Sequence, residues 1–186
     1  MLEPLPTKRL VHTNYRIYLS IAKEAKSTAE EIHGRLDSLL GQHREVTLEY
    51  VKAHSSVTKQ SKICIVFSAM AIEAFINEYA VNKLSKKFFK SHLDRMSLLT
   101  KLILVPRLAK DTELEKDGQL YEDCKWLIDY QNYLVHFHAK TEELSQIDPE
   151  TFTDQKYFVD LKHAKRAVRA ADQLVLHFGD IEWDLE

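Results

Sequence analysis

Apolar residues recur at helical spacing through nearly the whole chain, and few stretches alternate as strand residues would. Between residues 12 and 54, Ile17, Ile21, Ile32, Leu36, Leu39, Leu40, Val46 and Val51 predict one long helix or two nearly continuous ones, with a break at Gly34 or Gly41. Residues 57 to 88 form the most apolar segment. Ile63, Val66, Phe67, Met70, Ile72, Ala74, Phe75, Ile76 and Tyr79 go nearly all round it, the pattern of a central bundle helix. Ser97 to Leu108 predicts a short helix interrupted near Pro106, because proline removes a backbone donor. Asp111 to Gly118 reads as a charged loop, Leu120 to His138 as a helix, and Thr141 to Thr153, with Pro149, as a second loop. A last helix from Asp154 to Phe178 is expected to bury Phe158, Leu161, Val168, Leu174 and Val175. The sum is an all-α, antiparallel bundle of about five helices, forming one domain over residues 1 to 186.

Composition agrees with that class. Hydrophobic residues make up 45% of the chain and charged residues 29%, with only four Gly and four Pro. A formal charge of −2 supplies no global attraction to nucleic acid, so any such binding must rest on a local patch. Cys64 and Cys124 lie in apolar helical segments without metal-ligand spacing. They read as small buried hydrophobes in a reducing compartment, with a disulfide possible but unneeded. The first residues hold no continuous apolar run of the secretory kind. The apolar run Ile63 to Ile76, broken by Ser68 and Glu73, falls short of the roughly 20 residues a bilayer requires. A soluble, cytoplasmic protein with no membrane partner is the expectation.

The chemistry is concentrated in Trp126 to His138, which carries aromatic, acidic, amide and imidazole groups without Gly or Pro. At about 100° per residue, Leu120, Cys124, Leu127, Ile128, Leu134 and Val135 share a core-facing side. Asp129, Asn132 and His136 fall opposite, flanked by Trp126, Tyr133 and Phe137. Large aromatics beside polar groups suggest a surface that meets another chain or a ligand. The plainer reading is a helix buried on both sides, with His136 a hydrogen-bonded structural histidine.

Asn132-Tyr-Leu-Val-His136 resembles the end of the catalytic signature of HEPN domains, the higher eukaryote and prokaryote nucleotide-binding family, in which an Arg is followed by four to six residues and then His. Ser68 to Tyr79 is similar to the long core helix of that family. The Ser97-Leu-Leu-Thr-Lys-Leu and Gly118-Gln-Leu-Tyr segments match in layout, so the likeness spans roughly residues 60 to 178. It implies metal-independent RNA cleavage at a dimer cleft, with the cation holding the scissile phosphate and the imidazole moving a proton. The Arg position, however, is Gln131. A neutral amide offers no charged fork to a phosphate, so transition-state stabilisation should fall. On a regular helix Gln131 also lies about 140° from His136, nearer the apolar side, as a buried amide satisfied by a neighbouring helix would. The family's subgroup paired with nucleotidyltransferases carries a Tyr two residues after the His. Here that residue is His138, and nothing supports modification there.

Other polar groups fit around this frame. Glu73 and Asn77 form a polar stripe on the most apolar helix. Glu73 either faces the motif helix and orients His136, or pairs with a Lys or Tyr elsewhere. Lys162, Lys165, Arg166 and Arg169 form a basic stripe that either cradles nucleic-acid phosphates or is simply solvated. Glu30 and His33 have the Glu-x-x-His step of di-metal bundles, but the only partner step, Asp160 with His163, sits among cations, so surface residues are expected and no metal or cofactor is implied.

Three functions follow. One is a ribonuclease using His136 as acid or base, Asn132 to position the phosphate or imidazole, and a cation of the last helix in place of Arg. Another is a HEPN-like module with weakened or lost cleavage that binds RNA, a nucleotide or a protein partner, as a regulator in a defence or toxin system. The third is a structural helical dimer. A homodimer is expected, bringing His136 and Asn132 of both chains into one cleft.

Overall fold

The computed structural model describes residues 14–40, 46–111, 114–136 and 159–178. Among these the protein is all-helical, with helices α1 Asn14–His33, α2 Leu48–Leu84, α3 Lys86–Phe88, α4 Leu98–Lys110, α5 Gln119–Val135 and α6 Leu161–Phe178. The helix beyond the expected five is the three-residue α3, which leads into a π-helical turn, Phe89–Leu93.

The N-terminal half is divided differently from its apolar pattern. Helix α1 closes at His33, where the amide of Gly34 still reaches Glu30 O at 3.0 Å. A 3-10 turn, Asp37–Leu39, follows. Thr47 then starts the next helix: its Oγ1 accepts from the amide of Tyr50 at 3.1 Å and donates to Leu39 O at 2.6 Å. Residues 48 to 54 thus belong to α2, the helix that was expected only from residue 57. The face α1 buries is Tyr15, Leu19, Ala22, Ala25 and Ala29, not the row containing Ile17, which is exposed. Alanines allow two helix backbones to approach closely, so small side chains outweigh the larger ones in setting this face. Val46 and Val51 are exposed as well.

Helix α2 packs against α1, α4, α5 and α6, which explains why it is apolar on all sides. It is the one described helix long and apolar enough to cross a membrane by length and composition, with 56% of its most apolar window buried inside the fold. Tyr15 meets Phe75 at a ring separation of 5.3 Å while Ala29 clusters with Val57, so α1 and α2 run in opposite directions. Helix α6 runs parallel to α2, since Cys64 Sγ donates to Ala164 O at 3.3 Å and Tyr79 meets Phe178 at 5.8 Å. Buried alanines, Ala164, Ala167, Ala170 and Ala171, line its core side.

Pro106 does not interrupt α4. The helix continues to Lys110 and ends at Asp111 in the left-handed conformation, φ 52°. Proline removes one amide donor, but Pro106 is buried on the same side as Leu102 and Val105, and that packing outweighs one missing bond. Ser97 caps its start, accepting from the amide of Thr100 at 3.2 Å. The predicted loop at Thr141 to Thr153, the segment Asp154 to Phe158, and Phe137 and His138 lie outside the described residues. Leu161, Val168 and Leu174 are buried as expected, and Val175 is half-buried.

Candidate functional site

Helix α5 turns Asp123, Cys124, Leu127 and Ile128 into the core and leaves Asp129, Asn132 and His136 exposed in one row. The polar row read from the sequence is therefore a real surface. His136 is the residue that ends the helix, and its amide donates to Asn132 O at 2.9 Å. Gln131 is half-buried, between the exposed row and the core side. Val135, assigned to the apolar side by periodicity, is exposed in the last turn of the helix.

Trp126 does not flank His136. It is half-buried against α6, where the Arg166 guanidinium lies 4.4 Å from its ring centroid and the His163 ring stacks at 5.9 Å. Tyr130 stacks on the same imidazole at 5.3 Å. The aromatic residues are drawn to the seam between α5 and α6, where rings can cover cationic and imidazole groups. Tyr130 has a buried hydroxyl with no partner among the described residues. Burial, then the charges of Tyr133 and Asp160, push its pKa up. His163 belongs to the start of α6: Asp160 Oδ1 accepts from its amide at 3.1 Å and lies 2.7 Å from its Nδ1. Burial alone would raise the Asp160 carboxyl, but the bonds and charge of His163 outweigh it and hold the group below its ordinary value.

At the centre of the seam is Asp123, a wholly buried carboxylate. Its Oδ1 accepts from Arg166 Nε at 2.7 Å and from Gln119 Nε2 at 3.0 Å, and its Oδ2 accepts from Arg169 Nη2 at 3.3 Å. Sequence reading missed this residue. The available signal was a carboxylate in phase with Gln119, Leu127 and the core side of α5, opposite an Arg-x-x-Arg step in another helix.

The basic stripe is thereby divided. Arg166 and Arg169 turn toward α5, Lys165 pairs with Glu30 of α1 at 3.4 Å, and Lys162 is exposed. Glu30 also binds Lys26 at 3.1 Å, and the Lys26 contact, against a burial effect of opposite sign, keeps its carboxyl below the ordinary range. Glu30 is half-buried with these two lysines, and His33 is exposed at the end of α1; among the described residues no three His, Cys, Asp or Glu side chains gather.

Glu73 is exposed and lines an open groove of about 410 Å³ with Asn14 and Tyr18 of α1. It is not the buried carboxylate expected against the motif helix to orient His136, and among the described residues none of α5 lines its groove. Its neighbour Asn77 accepts from the buried Lys101 Nζ at 3.0 Å. Helical phase explains the difference, since Ile72 and Phe75 take the core positions around Glu73.

Comparison of the chain with protein-family models, with curated proteins and with solved structures finds no match.

Proposed function

We propose that this chain is a HEPN-like module associated with RNA or a nucleotide, a helical bundle that pairs through its α5 surface, with cleavage weakened or lost because Gln131 stands where the motif cation would be. The observation that carries this reading is the exposed row Asp129, Asn132 and His136 at the end of α5, next to a half-buried Gln131. An imidazole and an amide on one open face are suited to proton transfer and phosphate positioning. The arginines of α6 do not supply the missing charge within the chain. Arg166 sits over Trp126, which is about 15 Å along α5 from His136 at 1.5 Å per residue. The exposed Val135 beside this row favours a second chain of the same kind covering it. Burial of α2 among four other helices supports a core helix of a soluble protein rather than a spanning one.

The test is cleavage of a mixed RNA pool in EDTA by the native protein, Gln131→Arg and Gln131→Arg/His136→Ala. The expected result is little or no cleavage by the native chain, cleavage by Gln131→Arg, and its loss when His136 is also removed. Silence from Gln131→Arg would overturn the reading of this face as a disabled nuclease centre. A strictly monomeric protein at micromolar concentration in sedimentation would overturn the dimer.

A further inference from the structure

One buried carboxylate holding two arginines is more cation than the fold requires. A single guanidinium neutralises Asp123, and Arg166 does so at 2.7 Å. The second, Arg169, binds at 3.3 Å with its side chain 57% exposed. Each guanidinium has five N–H donors. Among the described residues each spends one on Asp123, and the Arg169 fork reaches solvent. Trp126 packs against the Arg166 guanidinium at 4.4 Å, and Gln119 holds the carboxylate from a third side. The Arg166 fork is thus held in place before any ligand arrives.

Charge sets the size of that ligand. The two arginines and Asp123 leave one positive charge, and exposed Lys162, one turn before Arg166, adds a second that the nearby Asp160 carboxylate partly offsets. Glu122 and Asp129 are exposed on the outer rows of α5 and limit the positive region. A long polyanion would meet them. A phosphate monoester carries about −1.5 to −2 at neutral pH and presents three acceptor oxygens, the complement of two planar forks and an ammonium.

We infer that the seam of α5 and α6 binds a terminal phosphate monoester, carried by a free nucleotide or by the 5′ end of an RNA, with Arg166, Arg169 and Lys162 as its ligands and Asp123 as the residue that positions both guanidiniums. This rests on the RNA- or nucleotide-associated reading above, and not on cleavage by His136.

The experiment measures binding of a 3′-labelled short RNA with a 5′-phosphate or a 5′-hydroxyl, and of AMP beside adenosine. The proteins are the native chain, Arg169→Gln, Asp123→Asn and, as a control with the same charge change far from the seam, Lys86→Gln. Native protein should prefer the phosphorylated probe by about tenfold or more, Arg169→Gln should lose most of that preference, and Lys86→Gln should keep it. Asp123→Asn should lower the preference while helicity by circular dichroism is retained, which a purely structural ion pair would not do. If it fails to fold, Arg169→Gln still decides. Binding of AMP identifies a free nucleotide as the source, and preference confined to RNA identifies the RNA end. Equal binding of both RNA ends and no AMP binding, or full preference in Arg169→Gln, overturns the site and leaves RNA association standing. AMP binding that depends on Arg169, without RNA binding, sustains the site and removes the RNA reading. No binding of any probe overturns both.

Discussion

Arg166 donates its Nε–H to Oδ1 of Asp123 at 2.7 Å, joining α6 to a carboxylate of α5 that is wholly buried. Removing one partner of such a pair strands a buried charge, whereas replacing both with apolar groups does not. Arg166→Met leaves Asp123 only Gln119 and the longer contact to Arg169, so it should cost about 2 to 3 kcal/mol in urea denaturation. Asp123→Leu with Arg166→Met should recover much of the loss. Arg169→Gln should cost less than about 1 kcal/mol, because that arginine is largely solvated. Equal costs for Arg166→Met and Arg169→Gln would show that the buried charge is not held chiefly by Arg166.

Ser85 joins α2 to α3 at φ 91° and ψ 149°, a backbone region that side chains avoid. Its Oγ also accepts from the amide of Phe88 at 3.3 Å. Glycine relieves the strain and loses only a few tenths of a kcal/mol of capping, so Ser85→Gly should stabilise by up to about 1 kcal/mol. Ser85→Ala keeps the strain and loses the cap, so it should destabilise by about 1 kcal/mol. Thermal melting of the two variants should bracket the native chain.

Burial pushes the Glu78 carboxyl above its ordinary value of 4.5, against a smaller opposite pull from Arg16. The folded protein then holds this proton to higher pH than the unfolded chain does. Its contribution is complete below about pH 4.5 and is lost as pH rises through the folded value. Glu78→Gln should lack this fall and should melt higher than the native protein at pH 7. An unchanged pH profile would show that Glu78 is fully solvated.

Cys64 and Cys124 are both wholly buried and free, and burial pushes each thiol up to about 12, with Asp123 adding to the shift at Cys124. Neither should react with a thiol reagent at pH 8 in the folded state, and both should react in urea. Rapid labelling of the native protein would contradict the packing of α2 and α5.

Some of the candidate site was open to reading in advance. Asp129, Asn132 and His136 were placed on one face by phase alone, and they are exposed together. Glu73 was read as buried because its neighbours are apolar, yet a residue on a crowded helix can still occupy the one row facing a groove. Trp126 and Asp123 were misplaced and missed for a related reason. Their positions on α5 depend on what α6 presents, and Arg166 and His163 lie some forty residues further along the chain.

By itself the sequence determined that the chain is helical, which segment is central and which residues of α5 share a face, because the period of an α-helix is a local property of the backbone. Only the tertiary structure decided that alanines rather than isoleucines seat α1, that Pro106 lies inside a helix, and that Arg166 and Arg169 turn to Asp123 instead of His136. Those outcomes depend on which helices come together, since desolvating a charge or closing two helices is decided by the partner surface.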